Sequence, residues 1–249
     1  MLEKEVEIRT ADGTADAVLF QPQERGQWPG VIHLPDIMGV RPSHRQMAGR
    51  LASRGYTVLL VNVFYRTGKY PLWTFPLKMG DEQSMKRFAE LAAPLSPEAM
   101  ERDSSAYVDF LGRQESVARG PMGVVGYCFT GAMAMRAAAA RPDRIAAIAS
   151  FHGGRLFTDE PSSPHTLLPR IKARLYFAHA VEDHSMPKEA IEKLEKVLAA
   201  WNGRSESETY RDAHHGWTVP DSAAFNAPQA DRALEKMAGL FQATLQGGH

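Results

Sequence analysis

The chain of 249 residues has a single cysteine, Cys128, so it can form no internal disulfide and build no cysteine-rich metal site. That suits a reducing compartment, where a free thiol survives for chemistry. Neither sign of charge is in excess: 29 lysines and arginines face 29 aspartates and glutamates. The summed field therefore offers nothing to nucleic acid or to an anionic membrane surface. Long hydrophobic runs are missing as well, and no apolar stretch has the length that spans a bilayer. The opening residues, Met1-Leu2-Glu3-Lys4-Glu5, are charged where a secretory leader is apolar, which predicts a cytoplasmic protein. No repeat, low-complexity tract or Gly/Ser linker divides the chain, so a single domain over residues 1–249 is expected. With 44% hydrophobic residues it can bury a sizeable core. A small neutral or weakly charged molecule is the default ligand.

Apolar runs and period-two alternation predict strands at 6–9, 15–21, 30–34, 57–63, 122–127, 145–151, 174–178 and 206–210. Helical patterns fall between them, at 43–54, 97–112, 131–140, 187–201 and 229–245. Strands alternating with helices imply an α/β fold, a mostly parallel central sheet with helices on both faces. The stripe Ile191, Leu194, Val197, Leu198 and Trp201 has helical spacing and reads as core packing. Residues 64–94 are less regular and carry Tyr65, Arg66, Tyr70, Trp73, Phe75 and Phe88. An excursion of this length after a strand either frames a pocket or is an ordinary surface helix with its loops.

Cys128 lies in Val124-Val125-Gly126-Tyr127-Cys128-Phe129-Thr130-Gly131, between an apolar strand and an alanine-rich helix. A lone cysteine is commonly a small buried hydrophobe, but this context resembles the turn on which an α/β-hydrolase carries its nucleophile. Glycine there lets the chain reverse sharply and lifts the side chain to a helix N-terminus, where the dipole favours an anion. A nucleophile of this kind is followed in the chain by an acid and then a histidine, each at a strand's C-terminal end. Asp183 ends the turn Ala180-Val181-Glu182-Asp183 after the strand 174–178, with Glu182 as a competitor and a capping role as the plain alternative. His215 lies in Asp212-Ala213-His214-His215-Gly216-Trp217, where either histidine can serve as base. The pair lacks the i, i+4 spacing of a helical zinc site and has no matching ligand set, so no metal is expected.

Four segments together resemble the dienelactone hydrolase family, the cysteine branch of the α/β-hydrolases, over nearly the full chain. They are Leu34-Pro35-Asp36-Ile37-Met38-Gly39, Val61-Asn62-Val63-Phe64-Tyr65-Arg66, Gly126-Tyr127-Cys128, and the turns ending in Asp183 and His215. The resemblance implies an α/β-hydrolase fold and a carboxylic ester hydrolase that needs no cofactor. It implies that Cys128 attacks a carbonyl, His215 is the base and Asp183 orients the ring. Backbone N–H groups of Ile37 and Phe129 would hold the oxyanion.

Three positions depart from the family pattern. Asp36 stands where the archetype has a glutamate that interacts with the resting thiol; if the shorter side chain cannot reach Cys128, the sulfur stays ionised at rest and more open to oxidation. The plain alternative for Asp36 is a turn residue before Gly39. Thr130 replaces the second glycine of Gly-x-Cys-x-Gly, which puts a β-branched side chain close to the helix crossing, where Gly131 is placed to take up strain. Val219 stands where the archetype has a substrate-carboxylate arginine; Arg66, Lys86 and Arg87 are the replacement cations in reach of the argument, with surface salt-bridging as their commoner use. Tyr65 and Arg66 are accordingly expected at the substrate. Trp217 either closes over an apolar acyl or leaving group or packs in the core. Ser163-Pro164-His165 reads as a turn.

Thiolate leaves more readily than an ordinary alkoxide, so an adduct built by Cys128 goes forward when the departing group is itself stabilised. Enol lactones, aryl esters and thioesters meet that requirement. Two readings of another class compete: a non-catalytic hydrolase-fold protein that binds a small molecule or a protein, and a thiol redox sensor. The second lacks a resolving cysteine.

Overall fold

The computed structural model describes residues 1–78 and 80–246. Its strands are β1 (Leu2–Thr10), β2 (Gly13–Gln21), β3 (Gly30–Leu34), β4 (Thr57–Val61), β5 (Met122–Tyr127), β6 (Ile145–Phe151), β7 (Arg174–His179) and β8 (Ser205–Thr209). The helices are α1 (Pro42–Ala52), α2 (Glu82–Ala92), α3 (Pro97–Gly112), α4 (Gly131–Ala140), α5 (Lys188–Ala200) and α6 (Ala227–Leu245). The eight strands form one sheet in the order β1-β2-β4-β3-β5-β6-β7-β8. Strands β3 to β8 run parallel, and the antiparallel hairpin β1–β2 joins them through β4.

Period-two alternation sends successive side chains to opposite faces. In β4, Leu59 and Val61 enter the core under α3, α4 and α5, while Val58 and Leu60 enter the core under α1 and α6. Both faces are thus covered, and the central strands are buried along their whole length, as a parallel sheet requires. Phe241 of α6 lies so close to β5 that a Cβ at Gly123 would come within 2.8 Å of its ring. Among the described residues no helix is long and apolar enough to cross a membrane.

Local chemistry explains where elements begin and end differently from the sequence pattern. β1 is longer than expected because its edge residues Glu3, Lys4, Glu5 and Glu7 are charged and hide the alternation, yet the ladder runs from Leu2↔Gln21 to Thr10↔Gly13. β4 stops at Val61 because Asn62 turns the chain, its Oδ1 accepting from the Phe64 N–H at 3.0 Å. Helix α2 occupies part of the 64–94 excursion. Only Ser84 and Leu91 are buried along it, too little to mark a helix in the sequence, and Asp81 caps it by accepting from the Ser84 N–H at 3.0 Å.

Strand β3 pairs with β4 on one side and β5 on the other. The order of connection reverses there, and loops leaving β3 and β5 diverge to open a crevice beyond the strands' C-terminal ends.

Candidate active site

Cys128 follows β5 directly and has φ +56°, a left-handed conformation that is costly for a side-chain-bearing residue and concentrates at functional turns. The turn closes tightly: a Cβ at Gly126 would lie 2.3 Å from the Thr130 carbonyl oxygen, and one at Gly131 would lie 2.7 Å from the Gly153 Cα. Glycine is therefore required at 126 and 131, while position 130 has another task. The buried Thr130 hydroxyl donates to the Leu34 carbonyl at 2.8 Å and accepts from the Tyr127 N–H at 3.0 Å. It stitches the turn to the end of β3. Gly131 itself is regularly helical, with φ −56°, so it provides close approach rather than relief of strain.

Asp183 leaves β7 and is 7% exposed. Its Oδ2 lies 2.7 Å from Nδ1 of His215, and its Oδ1 accepts from the Ser185 N–H at 2.8 Å and hydroxyl at 2.7 Å. Burial raises the pKa of this carboxyl, but the bonds from His215 and Ser185 prevail and hold it below the ordinary value. For His215 burial disfavours the cation, and hydrogen bonds to Asp183 and Cys128 outweigh it, so that its pKa is pushed up to about 10. Both sequence competitors fall away: Glu182 and His214 are exposed, and Glu182 serves the turn with φ +51°. Ser185, which orients the acid, was invisible as a site residue because serine near an aspartate is common turn chemistry.

His152 is a second residue missed by pattern. It follows β6 with φ +40°, its ring meets that of His215 edge-on at 5.1 Å, and its Nε2 pairs with the Thr218 hydroxyl at 2.8 Å. Burial first, then the charge of His215, lowers its pKa to about 3, so it stays neutral and forms an uncharged wall. The same turn contacts the Cys128 turn, since the Gly154 N–H donates to the Cys128 carbonyl at 3.2 Å. The Gly153-Gly154 pair after a strand was the available signal.

The loop after β3 is held at nearly every polar atom. The Asp36 N–H donates to His44 Nε2 at 3.3 Å, the Met38 N–H to Asp36 Oδ1 at 2.9 Å and the Gly39 N–H to the Asp36 carbonyl at 2.9 Å. The Ile37 carbonyl accepts from Trp73 Nε1 at 3.0 Å. Among the described residues no hydrogen bond takes the Ile37 N–H. The Phe129 N–H stands at the opening turn that leads into α4, where N–H groups have no intrahelical acceptor.

Several expectations require correction. The Asp36 carboxylate does not serve the thiol: Arg41 grips it at 2.6 and 2.9 Å. Despite burial, His44 and Arg41 hold its pKa far below the usual carboxylate range. Arg66 is not a substrate cation, because it is bound to Asp103 at 2.7 and 3.0 Å and to Asp12 at 2.6 Å. Tyr65 joins that cluster, donating to Asp103 at 3.1 Å and accepting from Thr10 at 2.8 Å. Arg87 donates to the Leu72 carbonyl at 2.8 Å, and Lys86 is exposed. Trp217 is fully buried and stacked on Tyr210 at 4.3 Å, so it is core and no lid. Val219 is buried too. Ser163 and His165 pair with each other at 2.7 Å within their turn. The 64–94 excursion does reach this region: Phe64 and Phe88 pack on the half-buried Phe129 ring at 6.0 and 5.8 Å, making an apolar wall next to Cys128.

Comparison with known proteins bears on this geometry. The model of the dienelactone hydrolase family matches residues 15–245. A carboxymethylenebutenolidase of Rhodococcus opacus is 29% identical over 208 residues, covering 80% of this chain and 74% of its own. Among solved structures, a candidate dienelactone hydrolase of Klebsiella pneumoniae has a TM-score of 0.85 at 20% identity, covering 96% of this chain and 98% of its own. A dienelactone hydrolase of Anabaena variabilis has a TM-score of 0.70 at 18% identity, with 98% of each chain covered. These two likenesses speak to the fold alone.

Proposed function

This chain belongs to the dienelactone hydrolase family, and from that premise we propose that it hydrolyses an activated carboxylic ester or lactone through an acyl-cysteine intermediate. The observation that carries the reading is the Asp183–His215 bond of 2.7 Å, made by a ring on which Cys128, held in a left-handed turn, also acts. An acid on Nδ1 sets the tautomer, leaving Nε2 free to take the thiol proton, and it stabilises the imidazolium that results.

In the first half-reaction the Cys128 sulfur bonds to the carbonyl carbon with its proton already held by His215, the ring whose pKa is raised to about 10. Negative charge gathers on the carbonyl oxygen, where the Ile37 and Phe129 N–H groups accept it; one such donor contributes about 3 kcal/mol. The tetrahedral adduct then expels the alcohol or enol oxygen, which takes the proton from His215. In the second half, water gives its proton to His215 and attacks the acyl carbon. The C–S bond breaks, the acid departs and the sulfur is left as thiolate beside the protonated ring. A lactone leaves through the same steps as one ring-opened hydroxy or keto acid.

Substrate class follows from the sulfur and from the walls. The adduct partitions forward for enol, aryl or thiol leaving groups. Phe64, Phe88 and Phe129 suit an apolar or aryl substituent. Neither Val219 nor the engaged Arg66 and Arg87 supports recognition of a carboxylate in the family archetype's manner.

Aryl esters, enol lactones and thioesters assayed with wild type, Cys128→Ser and Cys128→Ala, with mass spectrometry of the enzyme, test the proposal. The expected result is turnover with an acyl adduct on Cys128, and a loss on the order of 1000-fold or more in the variants. Full esterase activity in Cys128→Ala, which unlike serine keeps no nucleophile, would overturn the covalent mechanism.

A further inference from the structure

Arg41 is the N-cap residue of α1, in extended conformation at φ −153°, and its side chain makes no cap bond. An arginine there contradicts the local preference, since N-caps favour short acceptors and the positive end of a helix disfavours a cation. What the side chain does instead spans two loops. Nη1 donates to Asp36 Oδ1 at 2.6 Å and to the Gly39 carbonyl at 3.3 Å, and Nη2 donates to Asp36 Oδ2 at 2.9 Å. Nε and the other Nη2 hydrogen donate to Asp221 at 2.8 and 2.9 Å. Every N–H of the guanidinium is used, and the arginine side chain is only 8% exposed. Two carboxylates and a carbonyl are thereby fixed against one planar fork.

The two loops are the ones on which the proposed chemistry depends. Asp36 and Gly39 flank Ile37, whose N–H is one of the donors of the β3 loop that find no acceptor among the described residues. Asp221 belongs to the loop that begins at His214 and His215. That segment is stiffened by successive turns, with Trp217 N–H to His214 O and Val219 N–H to Gly216 O both at 3.0 Å, and Ser222 N–H to Val219 O at 2.9 Å. We propose that Arg41 is a positioning residue that holds the oxyanion donor of Ile37 in register with His215, so that donor and base meet one carbonyl group. The inference rests on the hydrolase reading above. Misplacing a reacting group by about 1 Å through a remote change can cost about 100-fold in rate.

The test separates the oxyanion donor from the nucleophile. Alkylation of Cys128 by iodoacetamide is displacement at a saturated carbon and needs no oxyanion donor, whereas acylation by an aryl ester does. Arg41→Lys keeps the charge and loses the fork. It is expected to acylate about 10- to 100-fold more slowly, through kcat with KM nearly unchanged, while alkylation stays within about twofold, since the Asp183–His215 pair is untouched. Near-UV circular dichroism checks that the variant is folded. If it is not, Asp36→Asn combined with Arg41→Met leaves no unpaired charge between the two positions and carries the same expectation. Acylation at the wild-type rate, or acylation and alkylation falling in step, would overturn the inference. Wild-type enzyme that alkylates at Cys128 yet turns over no activated ester would instead sink the hydrolase reading, and this inference with it.

Discussion

Asp183 and Asp36 both follow the C-terminal end of a parallel strand and are nearly equally buried, at 7% and 8% exposed. Each uses one oxygen to fix its own loop, Asp183 on the Ser185 N–H and Asp36 on the Met38 N–H. They differ in the partner. Asp183 faces the imidazole of His215, an acid-base group; Asp36 is gripped by the guanidinium of Arg41, which keeps its proton, with His44 Nε2 3.3 Å from its Oδ2. The first arrangement can pass a proton through the ring it orients. The second can only hold, and what it holds is the loop that carries Ile37. Residue type and burial are shared, so the chemistry of each carboxylate is set by what lies opposite it.

The sharpest way to break this comparison is to exchange a carboxylate oxygen for an amide. Asp183→Asn is expected to lower kcat by about 10,000-fold through the wrong histidine tautomer, and to lower the melting temperature at neutral pH, because it removes the partner that chiefly raises the His215 pKa. Stopped-flow acylation beside a thermal melt reads both; a variant within tenfold of wild type would show that Asp183 does not orient the base. At the other aspartate the larger effect should be on folding. Removing one partner of a buried ion pair typically costs about 3–5 kcal/mol, and urea unfolding of Arg41→Met should show a loss of that order.

pH should separate the two sites next. His215 has its pKa raised from 6.5 to about 10 in the folded protein, so its contribution to stability is complete below pH 6.5 and disappears as pH rises through about 10. Asp36 has its pKa lowered from 3.8, so its contribution is complete above that value and fades as pH falls below it. Melting temperatures of wild type and His215→Gln should therefore converge between pH 6.5 and 10, while those of wild type and Asp36→Asn should stay apart over that span and draw together only in acid. Parallel curves for the His215 pair would refute the assignment. The smallest effect is expected at Tyr65, which serves Asp103 away from the chemistry. Tyr65→Phe should cost about 1 kcal/mol in stability and leave KM unchanged; a raised KM would return Tyr65 to the substrate.

Strand-helix alternation was legible in the sequence because apolar period and length are local properties, and β3, β5, β6, α3 and α4 appear at the positions read from them. Helix α2 was left open, since the sequence offered 64–94 either as a pocket frame or as a surface helix with its loops, and only Ser84 and Leu91 of it are buried. Around the candidate site, the strand-turn-helix at Cys128 and the strand ends before Asp183 and His215 were readable from chain position. Thr130 looked like a departure and proves to be a stitch to β3, since the neighbour it bonds is remote in sequence. Arg66, Trp217 and Asp36 were each left with two readings for the same reason: each has a partner that spacing does not reveal, and in each the plainer reading holds.

By itself, then, the sequence determined the family, the α/β class and the three turns that carry Cys128, Asp183 and His215, because those depend on local pattern and chain order. The tertiary structure decided which histidine and which carboxylate meet, which cations are already engaged and which backbone N–H stands free. Such choices rest on hydrogen bonds a few ångströms long between residues far apart in the chain, and their direction is set by how the loops pack beyond the sheet rather than by the residues on either side.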